Sequence, residues 1–530
     1  MLPRAAFGSQ APMNHAFGRT AALKAVIWTT GSTYIGYILG LLINILIARR
    51  LDAADFGRYA YLVWLSGVLV LIANNGLTTT GIKFVSETLG KNAPAEAANV
   101  YGWLRRLQPV CIGLVAIACL IAMPFIMPAG WEGRLTGFAA AVTVSFVFKA
   151  WAMLNASIAK GYGQFTNEPI TSTIALIFNA IVAGVLALMN APMEAYAVLF
   201  AATSIAYALI SQFLLRKVGI VSAHGGLSES TRVRIRRHLF WTATLAAIST
   251  LGTRSIETFL LNHWVGAAEV GFFAIATNLT RAGIDLLVAG LSSVMMPILG
   301  YVIGTGDHPR AQRVFADATR YYQFMGLLIA GVGLFWAHAI VALMYGDRYL
   351  AVVPVFRIMV VTSGILLTNG AFAAILGNSD NQPFRVGVAV LSFVISLSIA
   401  LVLIPRYGLI GAAAGQAISA VLYTTVVVIG IRRFSGFELP WRQLTKQYAI
   451  ATGAGLAAWA ITTTGSSVLV ETLSGIVYAL LLTAISLRAG IWRADERDHL
   501  AGVLSGYRRL RFLSRVLSAS VSPASSANKS

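Results

Sequence analysis

One pattern is written twice in this chain, about 214 residues apart, and a duplicated unit constrains the fold more than any single motif does. Ala53-Ala54-Asp55-Phe56-Gly57-Arg58-Tyr59-Ala60 aligns with Ala267-Ala268-Glu269-Val270-Gly271-Phe272-Phe273-Ala274. At the same offset Gly76-Leu77-Thr78-Thr79 meets Gly290-Leu291-Ser292-Ser293, Asn155 meets Asn369, Gly163 meets Gly377, Asn167 meets Asn381 and Pro169 meets Pro383. An offset held this long means two copies of one structural unit. In an apolar chain, two such copies are the architecture of an alternating-access transporter.

The chain is apolar. Charged residues make up 11% of its 530 residues, hydrophobic residues 57%, and its mean hydropathy is +0.74. A soluble domain carries about 25% charge, and its surface must meet water whatever the size of its core. This chain therefore sits mostly in lipid. Cys111 and Cys119 share one apolar run, which excludes a disulfide framework or a cysteine metal spacing. The net charge of +20 does not indicate nucleic acid, because the bases sit in short clusters at the ends of apolar runs without interleaved aromatics.

A transmembrane helix needs about 20 apolar residues. Residues 25–48 carry no charge, are too long for a signal-peptide core and are followed by no small-residue cleavage site, so they read as a retained first span. Further spans fall near 60–80, 107–127, 135–156, 169–189, 194–215, 239–262, 271–303, 321–345, 353–376, 384–404, 409–431, 447–465 and 470–489, about 14 in all. With the N-terminus in the cytoplasm, about 30 basic residues fall on cytoplasmic segments. Only Arg49, Arg50, Arg58, Arg134, Arg348 and Arg406 fall outside. That bias places both termini in the cytoplasm.

Each copy holds about six spans, an even number, so the copies point the same way and are related by an axis along the membrane normal. The expected fold is an all-α polytopic membrane protein of about 14 transmembrane helices, with two parallel six-helix repeats forming two lobes plus two C-terminal helices. Its parts are an N-terminal cytoplasmic arm (1–24), an N-lobe (25–217), a cytoplasmic linker (218–238), a C-lobe (239–433), two additional spans (446–489) and a basic cytoplasmic tail (490–530). In the tail, Val503, Tyr507, Leu510, Leu513 and Leu517 recur at helical spacing among Arg508, Arg509, Arg511 and Arg515. That pattern suits an amphipathic helix on an anionic leaflet, or a partner-binding helix.

Six ionisable residues fall within spans: Lys149, Arg254, Glu257, Arg281, Asp285 and Arg357. Each costs about 2.5–3.5 kcal/mol at the centre of a lone helix, so they pair, snorkel or line water. Arg254 and Glu257, and Arg281 and Asp285, share helix faces and could form two internal ion pairs that fix packing. The repeat argues for more than packing. The first copy carries Gly40, Ile43, Gly67 and Leu71 at the equivalents of Arg254, Glu257, Arg281 and Asp285. Lys149 and Arg357 map onto Ser363 and Thr143. The scaffold folds once without these charges, so they are candidates for function. Arg254, Arg281, Arg357 and Lys149 are substrate-cavity candidates suited to phosphate or pyrophosphate. Glu257 and Asp285 are counter-ions or protonatable sites for H+ or Na+ coupling. Among uncharged residues, Asn44, Asn74, Asn75, Asn155, Asn278, Asn369 and Gln416 also fall in spans, most of them as interhelical glue and a minority lining a cavity.

No metal-ligand spacing, nucleophile elbow or GxxxxGK phosphate loop appears, so neither a metal nor another cofactor is expected, and the chain reads as a transporter rather than an enzyme. A membrane glycosyltransferase or ligase would need acidic residues in a soluble-facing loop, and the outer loops are short.

The segment Ile47-Ala48-Arg49-Arg50-Leu51 through Asp55-Phe56-Gly57-Arg58-Tyr59 resembles the first-loop signature of bacterial polysaccharide flippases, a branch of the multidrug/oligosaccharidyl-lipid/polysaccharide exporter superfamily. Leu403-Ile404-Pro405-Arg406-Tyr407-Gly408 followed by Gly411-Ala412-Ala413 resembles another signature of that family, and Leu343-Met344-Tyr345-Gly346 and Gly271-Phe272-Phe273-Ala274 fit it as well. The resemblance implies two six-helix bundles in a V, a cationic central cavity, and movement of a polyprenyl-pyrophosphate-linked oligosaccharide to the outer leaflet of a bacterial inner membrane for exopolysaccharide or O-antigen assembly. Lipid-linked oligosaccharide and membrane lipids are then the partners, with polysaccharide polymerase and chain-length proteins as candidate protein partners and no nucleic acid. The competing readings are a cation-coupled multidrug exporter, a peptidoglycan-precursor flippase, and a non-transporting component of a synthesis complex. Cavity assignments rest on this sequence alone, because the family has no fixed constellation to transfer.

Overall fold

The computed structural model describes residues 19–127, 135–253, 256–304, 307–378, 382–463, 465, 467–492 and 496. The expected amphipathic tail helix, most of the N-terminal arm and Arg254 lie outside the described residues, and the Asp285 side chain lies outside the described side chains. All regular structure among the described residues is helical. The α-helices are α1 (Arg19–Arg50), α2 (Ala53–Gly90), α3 (Pro94–Ile126), α4 (Leu135–Gly161), α5 (Asn167–Leu188), α6 (Met193–Lys217), α7 (Glu229–Thr253) and α8 (Ile256–Trp264), then α9 (Ala267–Gly304), α10 (His308–Tyr345), α11 (Val352–Ile365), α12 (Asn369–Asn378), α13 (Gln382–Ser435), α14 (Trp441–Thr462) and α15 (Val468–Arg488).

Each expected span falls on one or two of these helices, and ten helical stretches among the described residues are long and apolar enough to cross a membrane. Part of the difference from about 14 has physical sources, and the rest falls on 239–262 and 271–303, which include side chains outside the described ones. One stretch, Val386–Arg433, contains two of the expected spans. A straight helix rises about 1.5 Å per residue and would overrun a bilayer core of about 30 Å well before the end of α13. Gly408, at φ 55° and ψ −128°, breaks it where 384–404 and 409–431 were expected to part. In α14 the first two turns carry Arg442, Gln443, Lys446 and Gln447, which dilutes an otherwise apolar helix of 22 residues. Outward-facing Ile35, Ile38 and Leu42 of α1 and Leu114, Ile117 and Ile121 of α3 are exposed, as hydrocarbon-solvated surfaces require.

The described residues pack as two compact units, one drawn from Met1–Ala282, Met344–Val355 and Asn381–Tyr423 and the other from Gly283–Leu343, Phe356–Asp380 and Thr424–Ser530. In the first unit α2 packs on α3, α4 and α7, α4 on α6, and α5 on α1 and α6. The Asp52 carboxylate starts α2 by accepting from the Asp55 N–H at 2.7 Å, satisfying a donor that the first turn leaves open. At the far end of α2, Glu87 pairs with Lys91 at 2.7 Å and receives Arg234 of α7 at 3.0 Å on each oxygen. The Lys91 hydrogen bond, assisted by Arg234, holds the Glu87 carboxyl below the usual carboxylate range. At the opposite end, Arg49 Nε donates to Met344 O at 2.8 Å, Arg348 donates to Leu51 O at 3.1 Å, and the Tyr349 hydroxyl donates to Ala48 O at 2.7 Å.

The duplicated pattern meets itself inside this unit. A Cβ placed on Gly57 of α2 would lie 1.6 Å from Ala267 O of α9, and one on Gly271 would lie 2.9 Å from Ala53 O. Gly57 and Gly271 are equivalents, as are Ala53 and Ala267, so the two first-loop segments cross backbone to backbone about a local two-fold relation. A second pair of equivalents repeats a polar contact within its own unit. Asn155 Nδ2 donates to Ser211 Oγ at 3.0 Å, and Asn369 Nδ2 donates to Thr424 Oγ1 at 2.8 Å, one position from the equivalent of Ser211. Interhelical bonds of this type average about 0.6 kcal/mol in membranes and fix register more than stability.

In the second unit α14 and α15 form a helical hairpin against α10. Tyr478 of α15 lies over Gly331 of α10, where a Cβ would come within 1.9 Å of its ring, and its hydroxyl donates to Leu327 O at 2.8 Å.

Gly57→Ala should lower thermal stability in detergent by about 1–3 kcal/mol or more, because the added methyl meets a carbonyl that cannot swing away. Gly67→Ala, with nothing within 4 Å of its Cβ, should be neutral or gain up to about 1 kcal/mol. Fluorescence-detected thermal unfolding of both variants checks the contrast.

Candidate substrate cavity

Beside the Gly57–Gly271 crossing lies a cavity of about 350 Å³ within the first unit. Helix α1 supplies Gly40, Ile43, Asn44 and Ile47, and α2 supplies Tyr59, Ala60, Val63 and Trp64. Lys149 of α4, Leu176 and Asn179 of α5, and Phe200, Thr203, Ser204 and Tyr207 of α6 form a second wall. Thr258 of α8 and Phe273, Ala274, Thr277, Asn278 and Arg281 of α9 close the third. The repeat organises this lining: Tyr59 and Phe273, Ala60 and Ala274, Val63 and Thr277, Trp64 and Asn278, and Asn44 and Thr258 are equivalents. The cavity thus sits where the two copies of one motif face each other, and its asymmetry comes from what differs between them. The second copy presents Thr277 and Asn278 where the first presents Val63 and Trp64.

Two of the cations expected to line a cavity are here. Lys149 and Arg281 both contribute to the wall, and among the described residues no carboxylate does. Lys149 Nζ lies 5.6 Å from the centre of the Phe200 ring, a cation–π distance that holds an ammonium without neutralising it. The polar groups are oriented from behind. Asn179 Nδ2 donates to Thr203 Oγ1 at 2.7 Å, Thr203 donates in turn to Leu199 O at 2.7 Å, and the Tyr345 hydroxyl donates to Asn44 Oδ1 at 3.0 Å.

The other candidates are placed differently. Glu257 is 2% exposed and sits one residue from the lining Thr258, with Ser396 Oγ donating to its Oε1 at 3.1 Å. Arg357 belongs to the second unit, where its Nε donates to Leu334 O at 3.2 Å. Arg254 and the Asp285 side chain, and with them both suspected intrahelical ion pairs, lie outside the described residues and side chains. Of the asparagines, Asn44 and Asn278 line the cavity, whereas Asn74 and Asn155 are fully buried in hydrogen bonds between helices. Gln108 completes the Asn74 network, donating to Asn74 Oδ1 and to Ala150 O at 2.9 Å each. Asn179, Thr203 and Tyr207 were not singled out by sequence, because isolated polar residues in α5 and α6 carry no pattern. The equivalences across α2 and α9 were available from the offset.

A family model described as "Polysaccharide biosynthesis protein" matches residues 22–302. No curated protein matches the sequence. Among solved structures, the lipid II flippase MurJ in an inward closed conformation superposes with a TM-score of 0.69 at 14% identity, over 88% of this chain and 100% of that one. An inward-facing multidrug resistance MATE family transporter of the MOP superfamily gives 0.64 at 14% identity, over 78% and 99%. A MOP superfamily transporter from Pyrococcus furiosus, described as having a binding pocket of reverse polarity, gives 0.56 at 15% identity, over 80% and 98%. The fold is that of the MurJ and MATE transporters.

If the cavity is wetted, a cysteine at Asn278 should react with a membrane-impermeant maleimide in purified protein from which Cys111 and Cys119 have been removed. A cysteine at the fully buried Asn74 should not, and the two labelling rates compared by mass shift test this.

Proposed function

The chain belongs to the polysaccharide biosynthesis protein family, and from that membership we propose that it is a flippase that moves a polyprenyl-pyrophosphate-linked oligosaccharide across a bacterial inner membrane by alternating access, supplying exopolysaccharide or O-antigen assembly. The observation that carries the reading is the sign of the cavity: Lys149 and Arg281 line it, with no carboxylate among the described lining residues. A pyrophosphate needs such a sign, and Arg gives paired donors with a charge that does not titrate away. A cationic drug would need the opposite sign. The hydroxyls and amides of Asn179, Thr203, Ser204, Tyr207 and Asn278 supply hydrogen bonds of the kind sugars take.

In this reading the lobes are 25–217 and 239–433, both termini are cytoplasmic, and the lipid tail stays in hydrocarbon while the head group crosses. Arg254, outside the described residues, and Arg357, in the second unit, stand as further cationic candidates from the sequence. Glu257, held by Ser396, is the counter-ion or H+/Na+ coupling group, together with Asp285.

Lys149→Ala and Arg281→Ala should each cut translocation of a fluorescent undecaprenyl-pyrophosphate oligosaccharide in proteoliposomes by about 10- to 100-fold, the worth of one charge-assisted hydrogen bond of about 1.5–3 kcal/mol. Arg281→Lys should retain more activity than Arg281→Ala. Unchanged translocation in both alanine variants would sink the phosphate-gripping role. A wild-type protein that instead moved lipid-linked peptidoglycan precursor and no other saccharide would reassign the cargo. Glu257→Gln should leave cargo binding intact while removing the dependence of transport on a proton or sodium gradient, measured with imposed gradients of each ion.

A further inference from the structure

A second and larger cavity, about 920 Å³, lies in the first unit between α2, α3, α7 and the segment that precedes α7. One end is basic, with Arg106 of α3, Arg232 and Arg236 of α7, and His224. The rest is apolar, with Ile72, Leu77, Val110, Leu114, Val115 and Phe240 among its walls. Arg106 Nε donates to Gly102 O at 3.2 Å, which anchors its guanidinium, and Arg232 lies 3.4 Å from Glu229. From the cleft the same face of α3 runs through Val110 and Leu114 and on to Ile117 and Ile121, all more than half exposed.

The repeat supplies the comparison. By the offset, Arg106 corresponds to Arg320, and Val110, Leu114, Ile117 and Ile121 correspond to Phe324, Leu328, Gly331 and Phe335 of α10. In the second copy this face is filled. Arg320, 3% exposed, donates to Ile491 O at 2.6 Å and pairs with the Glu496 carboxylate. Below it Phe324, Leu328 and Phe335 pack with Ala451, Ala454 and Ala458 of α14 and Tyr478 and Leu482 of α15. The chain itself thus shows what this face takes: an oxyanion at the arginine and apolar matter along the helix. The first unit keeps the arginine, adds the guanidiniums of Arg232 and Arg236 from α7, and among the described residues lays no helical hairpin along this face of α3.

We propose that this cleft binds an anionic phospholipid, with its phosphate at Arg106, Arg232 and Arg236 and an acyl chain along Val110, Leu114 and Val115. Two observations select a lipid over a partner helix. The close approach of α15 to α10 depends on Gly331, where Tyr478 fills the Cβ position, and the first copy has Ile117 there. A flexible acyl chain accommodates that bulk better than a second helix backbone. Three guanidiniums and an imidazole at one end match a phosphodiester head group at a membrane surface, where basic pockets between helices gather anionic lipid. The site does not depend on what the transporter carries.

Native mass spectrometry of the full-length protein in detergent, titrated with phosphatidylglycerol or phosphatidylcholine, tests this. The wild type should retain one phosphatidylglycerol more tightly than any phosphatidylcholine, and Arg106→Ala/Arg236→Ala should weaken that adduct about ten-fold. Leu114→Trp, which fills the apolar wall without touching a charge, should weaken it as well and serves if the double variant fails to fold. Inorganic phosphate at equal concentration should not displace the lipid, and displacement would assign the site to a free anion. Equal phosphatidylglycerol retention by wild type and variants would overturn the proposal. So would recovery of a stoichiometric protein cross-link from Leu114→Cys in native membranes in place of lipid.

Discussion

The contact on which the first unit depends is the crossing of α2 and α9 at Gly57 and Gly271. Two backbones approach there until no side-chain carbon fits between them. Without a hydrophobic force between helices in lipid, such packing is what holds membrane helices together, and small residues permit it. The crossing also places the following turns of the two helices, Tyr59 to Trp64 and Phe273 to Arg281, on facing walls of one cavity. The motif that marks the duplication in sequence is therefore the element that builds the candidate site.

Much of this was legible beforehand. Apolar run lengths located the helices, because a bilayer fixes how many residues a span needs. The offset of about 214 residues located equivalents that the structure then brought together, such as Gly57 with Gly271, and contacts it repeated, such as those of Asn155 and Asn369. The break within α13 was visible as two runs flanking Pro405 to Gly408.

What was not legible has a common cause. Side chains converge on a cavity from helices far apart in sequence, so nothing local marks Asn179, Thr203 or Tyr207 as lining residues while Asn74 and Asn155 serve as structural hydrogen-bonding groups. Charge was a better guide than polarity, since an intramembrane cation demands a reason for its place. Even so, Lys149 and Arg281 line one cavity while Arg357 belongs to the other compact unit. The meaning of Arg106 was also hidden. It reads as one more basic residue near a span end until its counterpart, Arg320, is seen buried against Glu496.

Gly408 carries one more consequence. Its φ of 55° with a ψ of −128° is open to glycine and closed to side chains, so two spans join through a single elbow rather than a loop. A loop has slack and lets its helices slide past each other; an elbow of one residue has none. Axial travel of either span must be handed to its neighbour or absorbed as rotation about that one hinge, which makes the pair a lever rather than two independent rods.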